Sequence, residues 1–294
     1  MVDHPYIKEI KTINACASIY YLLLLQDGRV ASCSWSPDVK IINLESETCE
    51  LVLSDHRDTV THISQLPNGK LVSCSRDKSI KIWTIYKTSY SLDHSIEDAH
   101  GDWILKIISL SHDRMATCSK DRRIKIWNTN TPYECKKILK GHQNIVSSII
   151  QLKDKEQLLS GSEDRTLRVW DLESYQCVLI MTNMYYNRKS LLEIDNYIIL
   201  ACGNDIKLLN SSTLLLEKAV EDKITGTVWS MIELRGGNVL FGTSEGKLCL
   251  YDVKNNSIKI QADSIDGGVS SLMNLDESTF LSGSQVFSIK LWKY

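Results

Sequence analysis

Apolar and polar residues alternate along this chain in short runs, and the runs themselves recur. The cleanest stretch reads Val60-Thr-His-Ile-Ser-Gln-Leu66, then Pro67-Asn-Gly69, Lys70 to Ser75, Arg76-Asp77-Lys78, and Ser79 to Trp83. Runs of about six residues rich in Val, Ile and Leu predict strands, since that spacing presents one row of side chains to each face of a sheet. Pro67-Asn-Gly69 and Arg76-Asp77-Lys78 carry residue types that favour turns. A fourth strand is expected before the pattern restarts.

The third strand ends each time on a similar phrase. Leu71-Val-Ser-Cys-Ser-Arg-Asp-Lys-Ser-Ile-Lys-Ile-Trp83 returns as Met115-Ala-Thr-Cys-Ser-Lys-Asp-Arg-Arg-Ile-Lys-Ile-Trp127 and as Leu158-Leu-Ser-Gly-Ser-Glu-Asp-Arg-Thr-Leu-Arg-Val-Trp170-Asp171. Weaker copies close at Ile42, Leu209, Tyr251 and Trp292, which makes seven repeats spaced 39 to 44 residues apart. A fixed period in this range is the mark of a propeller-type array. The length of 294 residues alone would suggest two domains, but seven such repeats use it up. One all-β domain over residues 1–294 is therefore expected.

Composition narrows the function classes. A net charge of −2 gives no global pull toward nucleic acid, and none is expected as a partner. Met1-Val-Asp-His-Pro lacks a secretory pattern, and the longest apolar run, Ile19 to Leu25, is too short to span a bilayer. The expected location is the cytoplasm, with the nucleus as the alternative, and no membrane partner. Nine cysteines invite a disulfide or metal reading. Cys33, Cys74, Cys118 and Cys202, however, share one slot of the repeat, where Gly161 and Gly283 stand in other copies, and Cys49, Cys135 and Cys177 share a second. That placement fits small packing residues in a reducing compartment, and no C-x-x-C pair supports a metal site. No cofactor is expected.

The chain resembles WD40-repeat β-propellers. The resemblance rests on Asp55-His56, Ala99-His100 and Gly141-His142 at the starts of repeats, and on Trp83, Trp127, Trp170-Asp171, Tyr251-Asp252 and Trp292 at their ends. It covers essentially the whole chain and is sharpest in blades two, three and four. It implies seven four-stranded blades. The sequence stops at Trp292-Lys-Tyr294, directly after a third strand, while residues 6–13 form a strand with no blade of its own. The N-terminal strand is expected to pair with the last blade as its outer strand and close the ring, since open rings leave strand edges unpaired. A chain lacking residues 1–13 is expected to aggregate or fold poorly.

The resemblance also implies a buried tetrad in each well-formed blade: His56, Ser73, Asp77 and Trp83; His100, Thr117, Asp121 and Trp127; His142, Ser160, Asp164 and Trp170. Ser, His and Asp together invite a hydrolase reading. Three parallel copies suit a structural brace instead, with indole donating to hydroxyl, hydroxyl to imidazole, and imidazole to carboxylate. No catalytic residue is assigned, and no enzyme activity is expected. Blade six replaces the hydroxyl, Asp and Trp with Phe241, Glu245 and Tyr251, and blade seven replaces the Asp with Val286. Blade five has a shortened turn, Gly203-Asn-Asp205. These blades are expected to be looser or to rely on apolar packing. A recurring basic residue two positions before the close (Lys40, Lys81, Lys125, Arg168, Lys207, Lys290) is read as a solvated or stem-packing row and not a nucleic-acid stripe.

In the resembled family the narrow face is built from three positions per blade. They lie three and five residues after the repeat's His and directly before the tight-turn Asp. Carried over, they are Ser18, Tyr20 and Trp35 in blade one, then Thr59, Thr61 and Arg76, then Trp103, Leu105 and Lys120, then Ile145, Ser147 and Glu163. Blade five offers Asn187 and Lys189 beside Tyr185 and Tyr186, blade six Thr227, Trp229 and Ser244, and blade seven Gly268, Ser270 and Gln285. Of the seven tryptophans, Trp35, Trp103 and Trp229 do not close blades, and all three fall at these positions. Trp, Tyr and Arg dominate binding hot spots. The expected function is a scaffold or adaptor that binds peptides or protein loops, as part of a multi-subunit complex. The expected face comprises Tyr20, Trp35, Thr61, Arg76, Trp103, Lys120, Glu163, Lys189, Trp229 and Gln285, and suits an apolar anchor beside an acidic or phosphorylated group. The alternatives are a ubiquitin-ligase substrate receptor and a reader of modified histones or peptides. Glu173, Tyr86 and Asn130 stand where ligase-adaptor binders often carry Arg, which counts against the former.

Overall fold

A computed structural model describes residues 7–14, 18–184, 191–203, 205–220, 224–262 and 267–294. Twenty-eight strands and no helix occur among the described residues, in seven four-stranded sheets that form the blades of a β-propeller. β1 (Lys8–Asn14) comes first in the chain but belongs to the last sheet. Blade one holds β2 (Ile19–Leu24), β3 (Val30–Ser34), β4 (Asp38–Asn43) and β5 (Thr48–Ser54); blade two holds β6 (Val60–Gln65), β7 (Leu71–Ser75), β8 (Ile80–Ile85) and β9 (Tyr90–Ile96). Blade three holds β10 (Ile104–Leu110), β11 (Arg114–Ser119), β12 (Ile124–Asn128) and β13 (Cys135–Leu139). Blade four holds β14 (Val146–Gln151), β15 (Gln157–Ser162), β16 (Leu167–Asp171) and β17 (Cys177–Met181). Blade five holds β18 (Leu191–Ile194), β19 (Tyr197–Cys202), β20 (Asp205–Asn210) and β21 (Leu216–Val220). Blade six holds β22 (Val228–Leu234), β23 (Asn238–Thr243), β24 (Leu248–Asp252) and β25 (Ser257–Ala262), and the last sheet runs β26 (Val269–Asn274), β27 (Thr279–Ser284), β28 (Ser288–Lys293), then β1.

The chain divides into two compact units, residues 1–24 with 192–294, and residues 25–191. In the first, β1 lies antiparallel to β28, from Lys8 opposite Lys293 to Asn14 opposite Ser288, and Lys290 Nζ donates to Glu9 across the pair at 2.8 Å. The core of each unit sits between successive sheets. In the second unit, Val72, Cys74, Ile80 and Ile82 of blade two bury against Ile104, Ile107, Met115 and Trp127 of blade three. In the first, Val239, Phe241, Cys249 and Tyr251 of blade six bury against Ile199, Ala201, Ile206 and Leu208 of blade five.

The shared cysteine slot is a small-residue slot for a steric reason. At Gly283 an added Cβ would stand 2.5 Å from Ile19 Cγ2, and at Gly242, which fills the same slot in blade six, 2.4 Å from Val269 Cγ1. Nothing larger than the neighbouring strand allows can stand there. The tight turns between second and third strands also share a conformation. Lys78, Arg122 and Arg165 have φ of 72°, 70° and 65°, where Gly246 of blade six has 79°. The preceding Asp makes this tolerable for a non-glycine residue, because its carboxylate binds the chain beyond the turn: Asp77 Oδ1 accepts from Ser79 N at 2.8 Å and Asp164 Oδ1 from Thr166 N at 2.9 Å.

Candidate functional site

The three tetrads are assembled with near-identical geometry. His56 Nδ1 lies 2.9 Å from Asp77 Oδ2, its Nε2 lies 2.8 Å from Ser73 Oγ, and Trp83 Nε1 donates to that hydroxyl at 2.8 Å. Blade three repeats this with His100, Asp121, Thr117 and Trp127 at 2.9, 2.8 and 2.9 Å. Blade four does so with His142, Asp164, Ser160 and Trp170, each bond 2.8 Å. The carboxylate also accepts a backbone amide, from Arg57, Gly101 or Gln143. In blades two and four a further hydroxyl, Ser79 or Thr166, donates to the carboxylate and closes on the imidazole. Spacing alone did not reveal this fifth member; the signal was the Ser or Thr two residues after the Asp.

Electrostatics follow from burial and hydrogen bonding. Burial alone would raise the carboxyls of Asp77, Asp121 and Asp164, but the imidazole, hydroxyl and amide donors win, holding Asp121 and Asp164 at about 2 and Asp77 well below the carboxylate range. Burial outweighs the adjacent carboxylate at His100 and His142 and pulls both below 6.5, so these imidazoles are neutral at pH 7. Each hydroxyl is buried and saturated by indole and imidazole. It offers no open approach for a substrate carbonyl, so the arrangement braces the turn and does not activate a nucleophile.

Blade seven keeps half of the brace: Trp292 Nε1 donates to Ser282 Oγ at 2.8 Å, and the Trp292 ring stacks on Phe280. In blade six the slot is filled by rings, Phe241 against Tyr251 at 6.0 Å, with the Tyr251 hydroxyl donating to Asn256. Three members of the recurring basic row are engaged within the protein. Lys81 is buried and pairs with Asp55 and Glu97, Lys125 donates to the Ala99 carbonyl, and Lys290 pairs with Glu9.

The face positions are held by a recurring backbone bond. The residue before the tight-turn Asp donates its amide to the residue three after the His: Arg76 to Thr59, Lys120 to Trp103, Glu163 to Ile145, Ser244 to Thr227 and Gln285 to Gly268. These positions are therefore fixed by main chain, leaving their side chains to vary. The positions five residues after the His behave differently. Thr61 is fully buried, and its hydroxyl donates to the carbonyls of Ile104 and Cys74 at 2.6 and 3.1 Å. Ser147 and Ser270 are buried as well. Thr61 is thus corrected from a face residue to a tie between blades two and three, because a buried, doubly engaged hydroxyl has nothing left for a partner.

In the second unit four of the expected residues come together. The Arg76 guanidinium lies 4.9 Å from the Trp35 ring centre and 4.5 Å from that of Trp103, and Lys120 Nζ lies 4.3 Å from Trp103. The Val60 amide, bonded to the Ser36 carbonyl at 3.2 Å, draws the Trp35 turn toward blade two. Arg76 Nε is buried without a hydrogen-bond partner, and no acidic side chain among the described residues pairs with Arg76. Trp35 is 57% exposed. Lys120 Nζ also lies 3.9 Å from Asp102 Oδ2. Glu163 is half-buried at the equivalent position of blade four.

In the first unit, the half-buried Trp229 ring packs against Gly268, where a Cβ would stand 2.2 Å from it. Tyr20 is half-buried and Gln285 exposed. Beside Gln285 the turn exposes Val286 and Phe287, the latter at φ 65°. Sequence reasoning missed this apolar tip, although Val in place of the turn Asp was its signal. Lys189, with Asn187, Tyr185 and Tyr186, lies outside the described residues.

Comparison with known proteins adds to this geometry. The family model "WD domain, G-beta repeat" matches residues 47–84, 91–128 and 133–171. The chain is 44% identical over 45 residues to the zebrafish (Danio rerio) WD repeat-containing protein 18, covering 15% of this chain and 10% of that protein. It is 25% identical over 155 residues to Regulator of rDNA transcription protein 13 of Saccharomyces cerevisiae, covering 46% of this chain and 82% of that protein. It is 30% identical over 128 residues to the WD repeat domain-containing protein 83 homolog of Dictyostelium discoideum, covering 43% and 38%. The match thus spans a tenth of the first of these proteins and well under half of the third.

Proposed function

We propose that this chain, three of whose repeats match the WD40 family model and whose sheets form a β-propeller, is a non-enzymatic scaffold taking a peptide or loop of a partner protein at the narrow face, around Trp35, Arg76, Trp103 and Lys120. The observation that carries this reading is the row of two indoles and two cations, in which no carboxylate of the described residues pairs with Arg76. A guanidinium held between two rings keeps its planar donors oriented, which lowers the entropy lost when they meet an acidic or phosphorylated group. The exposed Trp35 supplies an apolar contact beside it.

The same row weighs against a methyl-lysine reader. An aromatic cage needs free ring faces for the incoming cation, and here the protein's own Arg76 and Lys120 already lie over Trp103. The test is affinity purification with mass spectrometry on the wild type and on a Trp35→Ala/Trp103→Ala variant whose fold is checked by circular dichroism. Selective loss of partners from the variant is expected. An unchanged partner set would overturn the reading.

A further inference from the structure

The outer strands of the seven sheets differ in one respect. Each of six carries charge: Lys8, Glu9 and Lys11 in β1, Glu50 in β5, Asp93 in β9, Lys136 and Lys137 in β13, Glu217 and Lys218 in β21, and Lys259 in β25. β17 reads Cys177-Val-Leu-Ile-Met181, with none. It is nonetheless exposed: Val178 is 54%, Leu179 38% and Ile180 48% accessible. β17 is the last strand of its sheet, so one side of its backbone faces away from the ladder. Charged side chains are the usual device that stops an outer edge from pairing with another strand. Six blades keep that device and one has lost it.

We propose that β17 is a docking edge for a second copy of this chain, the two β17 strands pairing antiparallel about Leu179. The sequence is self-complementary in that register. Cys177 would stand opposite Met181, Val178 opposite Ile180, and Leu179 opposite its own copy, with no charge set against an apolar group or against itself. The other outer strands fail this condition. Centring β13 on Lys137, β9 on Asp93 or β21 on Lys218 opposes like charges. An uncharged outer edge occurs once among the described strands, so the pairing is isologous and closes at two copies, with no second uncharged edge to extend a fibre. A five-residue strand pair buries well under about 1,000 Å², which places it among weak, concentration-dependent contacts. This surface is independent of the narrow-face reading.

The test is sedimentation velocity on the full chain from the low micromolar to about 100 µM, the range in which weak pairings populate. The wild type is expected to pass from monomer to dimer. Leu179→Lys should weaken the dimer at least about tenfold, because it sets two like charges face to face. Ile138→Lys on β13 should leave it unchanged. A Val178→Lys/Ile180→Lys variant provides a second reading at exposed positions where folding is insensitive. A wild type that stays monomeric throughout would overturn the proposal and leave β17 to a strand of a different protein. So would a dimer of unchanged affinity in both β17 variants, or assembly beyond two.

Discussion

In blade two the third strand closes on Trp83, whose indole donates to Ser73 and so begins a chain of hydrogen bonds ending on Asp77. In blade six the same strand closes on Tyr251, whose ring lies against Phe241, and the turn residue before Gly246 is Glu245. Both closing residues are fully buried, and both sheets keep full ladders. One slot is therefore satisfied by a polar network that needs every member, or by two rings that need only fit. The first kind fixes the geometry of its turn and makes the blade sensitive to pH. The second makes neither demand.

Acid is the strongest way to separate them, because it acts on three braces together. Asp121 and Asp164 sit at about 2 and Asp77 lower still, while an unfolded Asp sits at about 3.9. The unfolded chain therefore takes up protons first, and the stability these groups contribute is complete above pH ~4 and lost as pH falls toward 2. Both carboxylates are partly open to solvent, whose screening holds the loss to the order of 1 kcal/mol for each of Asp121 and Asp164. His100 and His142 act earlier and in the same sense, since both are held below 6.5 and the unfolded chain protonates from that pH downward. Thermal melts should decline from pH 6.5 and steeply below 4, and hydrogen exchange should show blades two to four opening before blade six. A melting temperature flat from pH 7 to pH 3 would defeat this account.

Single substitutions come next. Trp83→Ala should cost about 3–5 kcal/mol, as it removes a fully buried ring and takes one of two partners from the Ser73 hydroxyl. Tyr251→Phe should cost only about 1 kcal/mol, since the one thing lost is the hydrogen bond to Asn256. Phe241→Ser sharpens the contrast from the other side. It installs the brace hydroxyl in blade six without an indole to satisfy it, and should cost about 3 kcal/mol through the cavity and the orphaned group. If the two tyrosine and tryptophan variants melt alike in urea titrations, the blades do not differ in the way described.

The braced blades were legible in the sequence because each member of a tetrad is a distinct residue type at a fixed distance from the next. The unbraced ones were legible only as departures: the loss at Phe241 and Tyr251 was visible, while the ring packing that replaced it was not. In five blades, main-chain bonds such as Arg76 to Thr59 join the positions that the spacing picked out. Spacing could not say which side chains reach solvent. The strand register shifts between Val60 and His62, where Thr61 is buried, and the bare backbone of Gly268 leaves room for the Trp229 ring. Nor could it show that Arg76 would sit near two rings from different blades, because that contact joins residues 35, 76 and 103, which no local pattern connects.

The smallest effect on stability is expected at that row, and it separates structure from surface most cleanly. Arg76 is held by two ring contacts and one amide bond, and the amide bond survives any side-chain change. Arg76→Gln should therefore shift stability by less than about 1 kcal/mol, the scale of cation–ring contacts near a surface. Its consequences should instead be local. The Trp35 and Trp103 rings lose the cation between them, so their fluorescence should change while the far-ultraviolet circular dichroism does not. Binding of an acidic or phosphorylated peptide should weaken, and Arg76→Lys should restore little, because an ammonium has no planar face to lie between indoles. A loss of stability as large as that of Trp83→Ala would mean that the row belongs to the frame of the blades, and the distinction between brace and surface would fall with it.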